Sequence, residues 1–132
     1  MSLRDRIKRH EGQRFKPYRD TEGLLTVGYG RCMDRVPFSL DEIELMLTND
    51  IRRAKDGAES FFVYSQLNDV RRGVLVEMIF QMGVGGVSKF KRFLAAALDE
   101  DWAESRAQML DSKWAKQTPA RANELADLFE RG

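Results

Sequence analysis

The chain has little of what builds covalent or metal cross-links. It holds one cysteine, Cys32, and one histidine, His10, among 132 residues. A single cysteine excludes an intrachain disulfide, and one cysteine with one histidine does not signal a metal cluster. His10 reads as a helix-surface residue, not a ligand. The three prolines gather into no Pro-rich tract, and there is no repeat, low-complexity segment or Gly/Ser-rich linker. No apolar run is long enough to span a membrane, so membrane insertion is not expected. Residues 1–11 are charged and lack the apolar segment of a secretory leader, so the chain is expected to be made soluble in the cytoplasm. Neither sign of charge dominates. Lys plus Arg number 22 and Asp plus Glu 21, a balance that argues against a nucleic-acid partner.

What is present suits one folded domain. Apolar residues make up 42% of the chain, too many for disorder, and the length fits a single core. The charge is uneven, however. Residues 1–20 carry Arg4, Arg6, Lys8, Arg9, Arg14, Lys16 and Arg19 against Asp5, Glu11 and Asp20. Such a segment is either a solvated basic face or a surface suited to an anionic polymer.

Local signals place the elements. Ser2 as N-cap, Leu3 and Ile7 on one face and Gly12 as terminator predict a helix over 3–11. Pro17 and Asp20–Gly23 are turn chemistry, and "LLTVGYG" has strand propensity interrupted by glycine. Ser39-Leu40-Asp41-Glu42 is a capping box, with Phe38 placed to staple onto Ile43. The helix it opens has an apolar stripe of Ile43, Met46, Leu47, Ile51 and Ala54. Asp50 falls on that stripe, where an acid needs a partner. From Val74 to Met82 only Glu77 and Gln81 are polar, which predicts a central core helix over 69–82, ended by a loop at Gly83, Gly85 and Gly86. Short helices follow over 90–98, 102–110 and 112–117. The last begins with Thr118 as N-cap and Pro119 at its first position, with a stripe of Ala122, Leu125, Leu128 and Phe129. The plan is α+β and mostly α.

Two acids stand out for chemistry. Glu11 closes its helix at the negative end of the helix dipole, where a carboxylate charge is disfavoured and a proton is more readily kept. Asp20 sits in a turn with open N–H groups, which favour the charged form. Two carboxyl groups in contrasting surroundings are the arrangement a glycosidase needs, one to protonate the leaving oxygen and one to handle water or the sugar cation. Thr26, in a neighbouring strand, could hold that water. The same pattern also arises without chemistry, since many helices end in Glu-Gly. Arg121 strengthens the reading. It lies at the positive end of the last helix, where a cation is equally misplaced, so it suits an acid such as Glu11 across a cleft.

The residues Glu11-Gly12, Tyr18, Asp20-Thr21-Glu22-Gly23, Thr26, Gly28 and Gly30 resemble the active-site segment of the phage-type lysozymes, glycoside hydrolase family 24. The second half agrees: "DVRR", "FQMG" at 80–83, Phe90, Trp102 and "QTPARA" at 117–122. Two distant blocks in the right order make this a specific resemblance over nearly the whole chain. It implies a lysozyme-like two-lobed fold, with a small β-hairpin lobe over 12–38, a connecting helix over 39–57, and a helical lobe from 1–11 and 58–132. It implies a cofactor-free, monomeric muramidase that hydrolyses the β-1,4 bond between N-acetylmuramic acid and N-acetylglucosamine in peptidoglycan strands, with inversion. Glu11 is then the general acid, and Asp20 and Thr26 position the attacking water. Phe80, Gln81, Gln117 and Thr118 fall at cleft positions, and Arg121 at the basic residue facing the acid. An endolysin of this kind would wait in the host cytoplasm for a separate pore-forming protein. The alternatives are a lytic transglycosylase, which needs only the acid, and a non-catalytic peptidoglycan-binding domain.

The chain also departs from the family. The β-lobe is shortened between Gly30 and Ser39. Cys32, Phe93 and Gln108 replace the expected residues at other cleft positions. Arg31 stands where a histidine is common, and Asp50 matches that histidine's aspartate partner, which predicts an Arg31–Asp50 ion pair tying the small lobe to the connecting helix.

Overall fold

A computed structural model describes all 132 residues. In chain order the elements are α1 (Leu3–Glu11), β1 (Arg14–Arg19), β2 (Leu25–Gly28), β3 (Arg31–Cys32), α2 (Leu40–Glu59), a 3-10 turn (Phe62–Gln66), α3 (Asp69–Ser88), α4 (Lys91–Leu98), α5 (Trp102–Leu110), α6 (Lys113–Gln117) and α7 (Pro119–Arg131). The fold is α+β and mostly α. The chain forms two compact units, Met1–Leu45 and Met46–Gly132, and the boundary falls within α2.

In the first unit, Ser2 Oγ accepts the Asp5 N–H at 3.1 Å and starts α1. Gly12, at φ +74°, lets its N–H return to the Lys8 carbonyl and stops the helix. The three strands form one antiparallel sheet in the order β1-β2-β3. Thr26 is central, paired with Tyr18 on one side and Cys32 on the other. The resemblance implies that residues 1–11 join the later helices, whereas α1 clusters with the sheet. The Gly28-Tyr29-Gly30 turn accounts for this: Lys8 lies 5.3 Å from the Tyr29 ring centre, and the Glu11 side chain lies against Gly30.

The capping box at Ser39 forms as expected. Ser39 N–H donates to Glu42 Oε1 at 2.8 Å and Glu42 N–H donates to Ser39 Oγ at 3.2 Å. The predicted Arg31–Asp50 pair is replaced by two others. Arg31 Nη2 bonds Glu42 Oε2 at 2.6 Å, and Asp50 pairs with Arg53 one turn along its own helix. The cap explains the first substitution, because it already fixes the Glu42 side chain and leaves its second oxygen for Arg31 at little further entropic cost. The Arg31 hydrogen bond, then the Ser39 N–H, pulls the Glu42 carboxyl from 4.5 to about 2. A depressed acid stabilises the fold above its unfolded value and loses that contribution as pH falls through its folded value. Wild type should therefore lose more thermal stability than Glu42→Gln on going from pH 5 to about pH 2. Parallel melting-point profiles over that range would show that the pair contributes nothing.

The second unit is built around α3. Asn68 Oδ1 accepts the Arg71 N–H at 2.9 Å and caps the helix. Val74, Leu75, Met78 and Ile79 are buried and meet Ala122, Leu125, Ala126 and Phe129 of α7 in one core with Val63, Leu67, Phe93, Met109 and Trp114. The core helix ends at Met82 as expected, but the loop expected over Gly83, Gly85 and Gly86 does not form. Gly83 breaks the helix at φ +76°, yet Gly85 and Gly86 resume a helical turn that ends at Ser88. Glycine permits a break without requiring one, and burial of Val87 holds that turn. The stripe expected on α2 is largely exposed: Ile43, Met46, Leu47 and Ile51 each keep more than two-fifths of their surface. Only Ala54 and Ala58 are buried. The helix reaches α3 where its side chains are small, and a Cβ on Gly57 would come within 2.7 Å of the Val84 side chain.

Candidate active site

Glu11, Asp20 and Thr26 all lie in the first unit, each fixed by a different element. Glu11 is the final residue of α1 and is exposed. Its carboxylate engages no protein donor and rests on the backbone of Gly30, where a Cβ would come within 2.5 Å of Oε2. Gly30 itself has φ +77°, so both the close approach and the backbone require glycine. Gly30→Ala should therefore swing the Glu11 carboxylate aside. Strain at a left-handed alanine costs about 1–2 kcal/mol. We expect at least a roughly tenfold loss of turnover, as for a misplaced catalytic group, with the circular dichroism spectrum retained. Full turnover in this variant would mean that the contact does not set the position of Glu11.

Asp20 directly follows β1, at the start of the hairpin turn. Its Oδ1 accepts two backbone N–H groups, from Glu22 and Leu24, each at 2.9 Å. Its own N–H donates to the Leu24 carbonyl at 2.9 Å, and its carbonyl accepts the Gly23 N–H at 2.9 Å. The turn thus holds Oδ1 and leaves Oδ2 uncommitted. Thr26 is 4% exposed, and its Oγ1 donates to the same Leu24 carbonyl at 3.1 Å. The hydroxyl proton is then occupied and the oxygen can only accept. Both the free oxygen of Asp20 and the hydroxyl of Thr26 can accept from a water, and the peptide of Leu24 bonds both residues. Leu24 was not among the residues singled out in the sequence. Its role is carried by its backbone and leaves no side-chain signal.

The residues expected to bind substrate lie in the second unit. Phe80 is exposed at 43% and borders a cavity of about 300 Å³ with Leu47, Ile51, Val76, Glu77 and Arg121. Gln81 Oε1 accepts the Trp114 indole N–H at 2.8 Å, so half of its amide serves the fold. Gln117 is exposed. Thr118 precedes α7 at the cap position, but its hydroxyl donates to the Trp114 carbonyl at 3.0 Å and makes no side-chain cap bond. Arg121, expected opposite Glu11, bonds Glu77, with Nε donating to Oε2 at 2.8 Å. The sequence did flag Glu77 as one of two polar residues on an apolar helix, without naming its partner. Of the three other positions that depart from the family, Phe93 is a core residue, 1% exposed. Gln108 bonds Glu104 along α5, and Cys32 is half-buried on β3 beside Thr26.

A carboxyl free of protein partners, a second carboxylate fixed through one oxygen, and a hydroxyl restricted to accepting can together donate one proton and hold one water. The family model described as "Phage lysozyme" matches residues 8–131 of the chain. The chain belongs to the phage lysozyme family. It is, accordingly, a lysozyme-type glycoside hydrolase. Two relatives from Dictyostelium discoideum, probable T4-type lysozymes 1 and 2, are 30% and 29% identical to it. Each match covers 99% of this chain and 95% of the relative. The pre-baseplate central spike protein Gp5 of Enterobacteria phage T4 is 31% identical over the whole chain, which spans 28% of that protein. No helix of this lysozyme is long and apolar enough to cross a membrane.

Proposed function

We propose that this lysozyme is a muramidase that hydrolyses the β-1,4 bond between N-acetylmuramic acid and N-acetylglucosamine in peptidoglycan, with inversion at the anomeric carbon. Glu11 donates its proton to the leaving oxygen. Asp20, through Oδ2, and Thr26, through its hydroxyl oxygen, each accept a hydrogen bond from one water; as that water's oxygen bonds to the anomeric carbon and the glycosidic bond breaks, one of its protons passes to Asp20. The observation that carries the reading is the shared Leu24 peptide. It bonds Asp20 and Thr26 into one rigid turn and leaves each a free acceptor. A lytic transglycosylase would not need that pair, since its substrate attacks itself.

Mass spectrometry of fragments released from purified peptidoglycan tests the proposal, with the anomer formed followed by NMR. Reducing-end muropeptides formed first as the α-anomer are the expected products. Anhydro-sugar ends would identify a transglycosylase. Absence of any release would leave a binding domain. We further propose an endolysin role, with the protein made in the host cytoplasm as a monomer and reaching the wall through a pore formed by another protein. Export from intact cells without such a pore would overturn that part.

A further inference from the structure

The central helix of the second unit places one carboxylate where hydrophobic residues prevail. Between Val74 and Met82 only Glu77 and Gln81 are polar, and they lie four residues apart on one face. Both reach the C-terminal helices, Gln81 to Trp114 of α6 and Glu77 to Arg121 of α7. Gln81 meets a buried indole. Glu77 and Arg121 stay partly exposed, with side-chain accessibilities of 44% and 37%. A pair so exposed adds little to stability. Its geometry is more informative. Arg121 is bonded through Nε alone, so the edge formed by Nη1 and Nη2 carries no protein acceptor. Arginine held at Nε has its guanidinium plane fixed and offers that edge as a two-donor fork to oxygen. Arg121 borders the apolar cavity that Phe80, Val76 and Ile51 also line. An apolar wall beside an oriented two-donor group is suited to a sugar polymer, which offers both an apolar face and oxygen acceptors.

We propose that Glu77 is a positioning residue for substrate: it locks the Arg121 guanidinium so that the Nη edge donates to oxygen atoms of the bound glycan strand. The inference rests on the glycosidase reading of Arg121 as a substrate-binding residue. Those oxygens belong either to the sugars or to the carboxylates of the stem peptide, and the two sources can be separated by probe. Glu77 touches the polymer only through Arg121, so its removal should weaken binding and leave the chemical step unchanged.

The test uses two purified probes, a peptidoglycan tetrasaccharide with its stem peptides and the same tetrasaccharide without them. Binding is measured by NMR titration on full-length protein carrying Glu11→Gln, which needs no turnover. Glu77→Ala should weaken binding by about fivefold to tenfold, the range of one charged hydrogen bond partly lost. Arg121→Ala should do at least as much, and the double variant should match Arg121→Ala alone. Glu77→Asp should recover part of the loss. In the active protein KM should rise while kcat stays within about twofold. The Arg121 Nε–H resonance, distinct in the wild type, should move to the solvent-exchanging position in Glu77→Ala. An effect on both probes assigns sugar oxygens, and an effect on the stem-bearing probe alone assigns the stem carboxylates. Unchanged binding in Glu77→Ala, full additivity with Arg121→Ala, or no binding of either probe by any variant would overturn the proposal. Failure of the glycosidase reading is a separate result, namely no bond cleavage by the wild type even though the probes bind.

Discussion

Glu11→Gln should lower peptidoglycan hydrolysis about a thousandfold, within the range for loss of a general acid, and leave the protein folded. Glutamine has nearly the shape of glutamic acid and no proton to give. The side chain is exposed and bonded to nothing in the protein, so the fold has little to lose. The helix dipole gives a second, opposite expectation. Glu11 puts a carboxylate at the negative end of α1, so removing the charge should stabilise the helix by a few tenths of a kcal/mol, to about 1. Muropeptide release and thermal unfolding on the same preparation check both. Turnover within about tenfold of wild type would assign the proton to another group. A clear fall in melting temperature would mean that Glu11 has a structural partner.

The largest loss of stability is expected at a residue with no place in the chemistry. Arg71, 9% exposed, runs from α3 to the end of α7. Its Nε donates to the Phe129 carbonyl at 2.7 Å and its Nη2 to the Glu130 carbonyl at 2.9 Å. The guanidinium stacks 3.7 Å from the Trp102 ring centre, and Trp102 in turn packs edge-on against Phe129. A cation here satisfies carbonyls that the helix end leaves unpaired, and it sits at the negative end of the α7 dipole. Burial pushes the Arg71 guanidinium below its ordinary value, with Glu100 nearby acting the other way. Arginine still keeps its charge in such a site. Arg71→Ala removes two charge-assisted bonds and the stacking, at a cost of roughly 2–4 kcal/mol. For a chain of this length that is a fall of about 10 °C in melting temperature. Arg71→Lys keeps the charge but not the fork or the flat face, and should lie between the two. A melting temperature within about 2 °C of wild type for Arg71→Ala would show that water replaces both bonds without cost.

Sequence patterns were most reliable where the deciding interaction spans one turn of chain. The bounds of α1 and α5, the Ser2 cap, the Ser39–Glu42 box and the start of α7 at Pro119 are all set by contacts within four residues. The core stripe of α7 was legible for the same reason, since helical periodicity alone puts Ala122, Leu125 and Phe129 on one side. The candidate chemistry followed from residue type and order, which needs no knowledge of partners. The 3-10 turn at Phe62–Gln66 had no such pattern and was not anticipated.

Tertiary structure decided which groups meet. The sequence shows that Asp50 needs a partner and that Arg31 and Arg121 suit an acid, but not which group each finds. Arg31 took Glu42 because the cap had already fixed that carboxylate, and Asp50 took the neighbour one turn along its helix. An apolar stripe shows that a helix can be buried, and on α2 the small side chains of Ala54, Gly57 and Ala58 decided where. Local sequence sets the helices, the turns and the acids at their ends. Pairing between distant residues is a competition among nearly equal exposed charges, each worth about 1 kcal/mol or less, and only the folded chain settles the winner.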